Sequence, residues 1–200
     1  MPRVILASAS PRRKELLAQI GIIPEIIPSS TEETVTSENP ADIVRELSAQ
    51  KCRDVASRAD GDAIVIGSDT IVTLGGEILG KPADEADAFR MLSELQGRTH
   101  EVYTGVTLNL LRDGVCVREE IFFEKTEVMV APMSEEEIRA YIRSGDPMDK
   151  AGAYGIQGAF ARHIEGIRGD YFTVVGLPLC RLWQAMQRII NNEAGEDKRS

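Results

Sequence analysis

Two hydroxyls and two guanidiniums crowd one short segment of this 200-residue chain: Ser8, Ser10, Arg12 and Arg13, in the run SASPRR. The run follows residues 3–7 (RVILA), which read as a short buried strand, and opens a stretch with Leu16, Leu17 and Ile20 at helical spacing. Ser10 suits the N-cap and Pro11 the first helical position. A helix start offers unpaired backbone N–H groups and the positive end of a dipole, which favours an anion. Arginine adds paired, charge-assisted hydrogen bonds to phosphate. At the end of a strand, where α/β sheets commonly bind ligands, phosphate binding and a plain capped surface helix weigh about equally.

A second candidate is Asp69, set between the apolar runs at 64–66 and 71–72. A carboxylate there is costly to bury without a cation, a metal or several donors. Strand alternation also allows it to point to a solvated face. Lys51, Lys81 and Lys150 can supply cations, the last two from turns. Each alone is better read as solvated. Glu32 and Glu33 lie in a polar loop, where acidic pairs are mostly solvated, although their oxygens suit magnesium. His100 and His163 have no evident nucleophile or metal-ligand spacing, and neither GxSxG nor Walker A occurs.

The elements that must position these residues follow from periodicity and punctuation. Strands are expected at 22–28 and 63–74, with 77–79 returning as a hairpin after Gly75 and Gly76. Two long strands, 99–111 and 115–130, meet at a turn over 112–114. Helices are expected at 40–59, 84–95, from Ser134 with Glu137 completing a capping box, and at 178–191. Residues 145–158 read as an ordered functional loop, 160–175 as short strands about a turn at 168–170, and 192–200 as a frayed polar tail. The order predicts an α/β chain with a mixed sheet in one domain, 1–191.

Bulk properties narrow the function. A net charge of -9 argues against non-specific nucleic-acid binding, though not against phosphate held in one basic locality. Three scattered cysteines, Cys52, Cys116 and Cys180, fit reduced, partly buried thiols of a cytoplasmic protein rather than a zinc site or disulfide framework. The apolar stretch at the start is too short for a signal peptide, and no run approaches membrane-spanning length.

Together, and in this order, seven segments resemble the Maf family: residues 6–13 (LASASPRR), 32–33 (EE), 67–72 (GSDTIV), 78–82 (ILGKP), 100–105 (HEVYTG), 149–158 (DKAGAYGIQG) and 175–178 (VGLP). The resemblance implies an elongated, two-lobed fold like the inosine triphosphate pyrophosphatases, with a central cleft. It implies hydrolysis of the bond between the α and β phosphates, with a divalent metal, magnesium or alternatively manganese. Asp69 matches the proton acceptor, and Arg12, Thr70 and Gln157 match positions linked to base choice. Ser8, Arg13, Glu33, Lys51 and Lys81 fall at other cleft positions, giving Lys51 and Lys81 catalytic roles. Ser8, Ser10 and Arg13 would bind phosphate, while Glu33 and Asp69 would hold the metal.

The motifs resemble the branch acting on dTTP and UTP, with Ser68 departing from the alanine common there. Clearance of modified pyrimidine nucleotides, an effect on cell division and a homodimer are further expectations. The rivals are a pyrophosphatase for non-standard nucleotides, a nucleotide-binding regulator without turnover, and an α/β domain for an unrelated ligand.

Overall fold

The computed structural model describes residues 2–196. Its order is β1 (Arg3–Leu6), α1 (Pro11–Gln19), β2 (Glu25–Ile26), α2 (Pro40–Ala56), β3 (Ala63–Leu74), β4 (Glu77–Leu79), α3 (Glu85–Leu95), β5 (Thr99–Arg112), β6 (Val115–Val130), α4 (Glu135–Ile142), β7 (Ile164–Arg168), α5 (Tyr171–Val175) and α6 (Leu179–Glu196). Three short 3-10 turns fall between α4 and β7.

The strands form one seven-stranded sheet in the order β2-β1-β3-β5-β6-β7, with β4 paired to β3. β1 pairs in parallel with both β2 and β3, while β4 on β3 and β7 on β6 are antiparallel. The sheet is therefore mixed, as the alternation of elements predicts.

Local chemistry explains most element ends. Asn39 caps α2 by accepting from the Ala41 N–H at 2.9 Å, and Pro40 takes the first turn. Ser134 and Glu137 form the full capping box of α4. Asp113 and Gly114 both take positive φ, 49° and 78°, which suits a two-residue hairpin turn between β5 and β6.

Three expectations need correction. The strand expected at 22–28 shrinks to β2. The Tyr171–Val175 part of the segment expected as strands is helix α5, because the Asp170 carboxylate accepts from both the Thr173 N–H and its hydroxyl, at 2.8 and 2.9 Å. Helix α6 continues to Glu196; the rest of the expected tail, 197–200, lies outside the described residues. Of the three free cysteines only Cys52 is buried, while Cys116 and Cys180 are exposed.

Cα packing divides the chain into two compact units: Met1–Asp69, Thr104–Phe123 and Gly176–Ser200 in the first, Thr70–Tyr103 and Glu124–Val175 in the second. In the first, α2 sends Cys52, Val55 and Ala56 against Ile5, Ala63, Val65 and Leu111 of the sheet and against Ala7 just past β1. In the second, α3 packs on α4, and buried Phe160 sits among Tyr141, Tyr154 and His163. No helix among the described residues is long and apolar enough to cross a membrane.

Candidate active site

The approach of α2 to the sheet decides where Lys51 lies. A Cβ at Gly67 would stand 2.2 Å from the Ser48 carbonyl oxygen, and one at Gly105 would stand 2.0 Å from that of Val44. Both distances are impossible, so only glycine lets the helix backbone come this close. Two polar contacts fix the approach: Ser48 Oγ and Thr107 Oγ1 at 2.9 Å, and Cys52 Sγ donating to the Val65 carbonyl at 3.3 Å. Lys51, one residue before Cys52, then brings its ammonium to Asp69 on β3.

The loop carrying Glu33 is tied to the same helix. Glu46, Gln50 and Asp54, spaced four apart, share one face of α2. Glu46 accepts from the N–H and hydroxyl of Thr36 at 2.9 and 2.6 Å. Gln50 exchanges two hydrogen bonds with the Thr34 backbone, at 3.0 and 2.6 Å. Asp54 accepts from the Ser29 hydroxyl and the Ser30 N–H at 2.8 and 3.0 Å. These bonds hold both carboxyls below their usual pKa, led by the Thr36 hydroxyl at Glu46 and the Ser29 hydroxyl at Asp54. Sequence reasoning missed this ladder. Its only signal is the spacing of polar residues opposite Val44, Ser48 and Cys52.

At the centre, Lys51 Nζ lies 2.5 Å from Asp69 Oδ1 and 2.8 Å from Glu33 Oε1. Asp69 is almost wholly buried, so the solvated-strand alternative fails for it; the Lys51 ammonium is the cation that makes its burial tolerable. Glu33 is half exposed.

The SASPRR segment joins this cluster from the end of β1. Arg13 donates through Nη1 to Ser8 Oγ at 3.1 Å and through Nε to the Gly176 carbonyl at 2.9 Å. Ser68, beside Asp69, donates its hydroxyl to the same carbonyl at 3.1 Å. Burial, reinforced by neighbouring Arg12, lowers the Arg13 pKa, while Asp69 and Glu33 act in the opposite sense. Its guanidinium stays charged at neutral pH. Ser10 is at the N-cap of α1 as expected, yet its side chain makes no capping bond. Its N–H donates to Ser8 Oγ at 3.2 Å instead.

Ser8, Ser10, Arg12, Arg13, Glu33, Lys51 and Asp69 thus belong to the first unit. Thr70, Lys81 and Gln157 belong to the second. There, Lys81 is exposed in a turn anchored by buried Pro82 and by the Gly80 carbonyl, which accepts from the Gly152 N–H at 3.0 Å. Gln157 is exposed, between buried Ile156 and the exposed Gly158.

Lys150 is not a solvated cation: Nζ donates to the Asp146 carbonyl and carboxylate at 2.6 and 3.0 Å and to Asp149 at 2.6 Å. His100 is buried against Tyr154, Nε2 to OH 2.8 Å, and burial lowers its pKa to about 4. It is neutral at physiological pH and structural.

The arrangement in the first unit offers two carboxylate oxygens converging on one cation position, with a guanidinium close enough to feel both. It can hold a polyanion through Arg13 and Lys51 and keep a carboxylate ready to take a proton.

The chain is similar to known proteins over most of its length. A dTTP/UTP pyrophosphatase of Agathobacter rectalis is 52% identical over 201 residues, covering 94% of this chain and 98% of the relative. A dTTP/UTP pyrophosphatase of Lachnoclostridium phytofermentans is 50% identical over 188 residues, covering 94% and 95%. A more distant likeness is the Ham1 protein structure of Staphylococcus aureus, at 17% identity and a TM-score of 0.44, over 64% of this chain and 72% of that one. Residues 3–189 match the family model of Maf-like proteins, and the chain belongs to the Maf family.

Proposed function

We propose that this chain is a nucleoside triphosphate pyrophosphatase that hydrolyses dTTP and UTP to the monophosphate and pyrophosphate. Relatives about half identical over nearly their whole length carry that name. The observation that carries the reading is the Lys51 ammonium held between Asp69 and Glu33, two carboxylates that also act electrostatically on the Arg13 guanidinium.

In this reading, Arg13, Ser8 and Ser10 receive the phosphates, and Lys51 and Lys81 offset the charge that grows on departing pyrophosphate. Asp69 orients a water and accepts its proton as oxygen adds to phosphorus and the bridge between α and β phosphates breaks. Pyrophosphate leaves with the bridging oxygen. Arg12, Thr70 and Gln157 set base choice. The Gln157 amide has both a donor and an acceptor, which match the imide edge of uracil and thymine and mismatch cytosine.

A divalent metal fits the donor set. Among the described residues no group of three or more metal-ligating side chains occurs. Magnesium commonly takes one or two carboxylates, with substrate phosphates and waters completing its shell. Glu33 and Asp69 converge on the Lys51 ammonium and would hold the metal, with magnesium or manganese supplying charge stabilisation. A cytoplasmic place, a homodimer, action of residues 1–191 as one domain, and no role for nucleic acid or membrane complete the proposal.

The test is a panel of canonical and modified triphosphates assayed for pyrophosphate, with and without chelator. UTP and dTTP turned over well ahead of CTP and the purine nucleotides, and silence in excess chelator, support the reading. A flat panel, or turnover favouring purines, rejects it.

A further inference from the structure

Gln157 lies in a turn that hangs from two buried tyrosines of the second unit. Tyr154 is fastened by its hydroxyl to His100. Tyr141, on α4, is buried with its ring 5.0 Å from that of Phe160, which in turn lies 4.8 Å from Tyr154. The Tyr141 hydroxyl donates to Asp146 Oδ2 at 2.5 Å and accepts from the Gly155 N–H at 3.1 Å. The other oxygen of Asp146 holds Lys150 Nζ at 3.0 Å.

The turn rests directly on these groups. A Cβ at Gly155 would stand 2.7 Å from Lys150 Cε, and one at Gly158 would stand 3.1 Å from Asp146 Oδ2. Burial, followed by the bond to Asp146, raises the Tyr141 pKa, so its hydroxyl keeps the proton it donates.

We propose that Tyr141 and Asp146 are positioning residues for base recognition: they fix residues 155–158, and with them the amide of Gln157. The proposal rests on the reading that Gln157 contacts the base. It places part of the nucleotide choice on two side chains outside the seven family segments. A hydrogen-bonding group discriminates only while its geometry is held, so a loosened turn should blur uracil against cytosine.

Tyr141→Phe keeps the ring and removes the hydroxyl. Its ratio of kcat/KM for UTP over CTP should fall about tenfold, with the loss for UTP carried mainly by KM. A purely structural defect would lower both nucleotides equally and leave the ratio alone, which would overturn the proposal. Gln157→Ala is the reference. If it shifts the ratio and Tyr141→Phe does not, the positioning role fails and the base-reading role stands. If Gln157→Ala itself leaves the ratio unchanged, the base is read elsewhere and both fall. Hydrogen exchange on the unaltered protein adds a measurement independent of any variant's folding. The Gly155 amide should exchange at least a hundredfold more slowly than a solvated amide; exchange at the solvated rate contradicts the proposal.

Discussion

Lys51 in the first unit and His100 in the second each meet a polar partner, but under opposite conditions. The Lys51, Asp69 and Glu33 side chains are 17%, 13% and 50% exposed, and all can carry charge. His100 and Tyr154 are buried, joined by one hydrogen bond, and neutral at physiological pH. A charged cluster in partial contact with water can exchange partners when a polyanion and its metal arrive, because the lost ion pairs are screened and replaced. A buried neutral pair has no such exchange available, and breaking it leaves a polar group stranded. The difference teaches where each variant should register most: activity in the first cluster, stability in the second.

The largest effect that can break this comparison is at Lys51. Lys51→Met should lower kcat by roughly a hundredfold to a thousandfold, the scale of removing one charge-stabilising donor, and should also lower the melting temperature, because Asp69 loses the cation that offsets its burial. A variant that melts far earlier with normal turnover would make Lys51 a structural cation. Next is Gly105→Ala, which drives a methyl group into the Val44 carbonyl. It should cost about 3 kcal/mol or more in urea unfolding, and loss of activity should follow as α2 withdraws Lys51 from Asp69. Unchanged stability would show that the helix approach is not confined as described.

Acid stability sharpens the other side. The folded-state pKa of His100 is lowered to about 4 from 6.5. Between those values the unfolded chain takes up a proton that the folded one refuses. Stability is fully present above the upper value and drains away as pH falls toward the lower, by roughly 3 kcal/mol for this group. His100→Gln should flatten that part of the curve measured by urea unfolding between pH 7 and 4.5; an equal slope in both proteins would assign the acid loss elsewhere. The smallest effect is expected at Ser68. Ser68→Ala removes one of two donors to the Gly176 carbonyl, and Arg13 still supplies the other. A loss of about 1 kcal/mol in stability, with turnover changed less than threefold, is the expected result.

What could be read from the residues alone divides along physical lines. β3 was legible because the apolar runs 63–66 and 71–72 lie in one stretch that ends at Gly75–Gly76, a local signal. The α4 capping box was legible for the same reason. Helix α5 was not: Tyr171, Phe172, Thr173, Val174 and Val175 all favour strands, and one carboxylate, Asp170, overrides them by capping. In the candidate site, the segments carrying Ser8, Arg13, Lys51 and Asp69 stood out, but their meeting depends on long-range packing through Gly67 and Gly105. Neither glycine shows in sequence that a helix backbone lies against it. The ladder of Glu46, Gln50 and Asp54 was hidden because polar residues four apart on a helix ordinarily face water.

Pyrophosphate release by Asp69→Asn, measured with saturating UTP and magnesium on protein shown by circular dichroism to be folded, tests the assignment most directly. The account predicts a fall of at least about a thousandfold, since asparagine keeps the shape of the side chain but can neither accept the proton nor carry the charge. Turnover within a few fold of the unaltered chain would contradict it and move the chemistry away from Asp69.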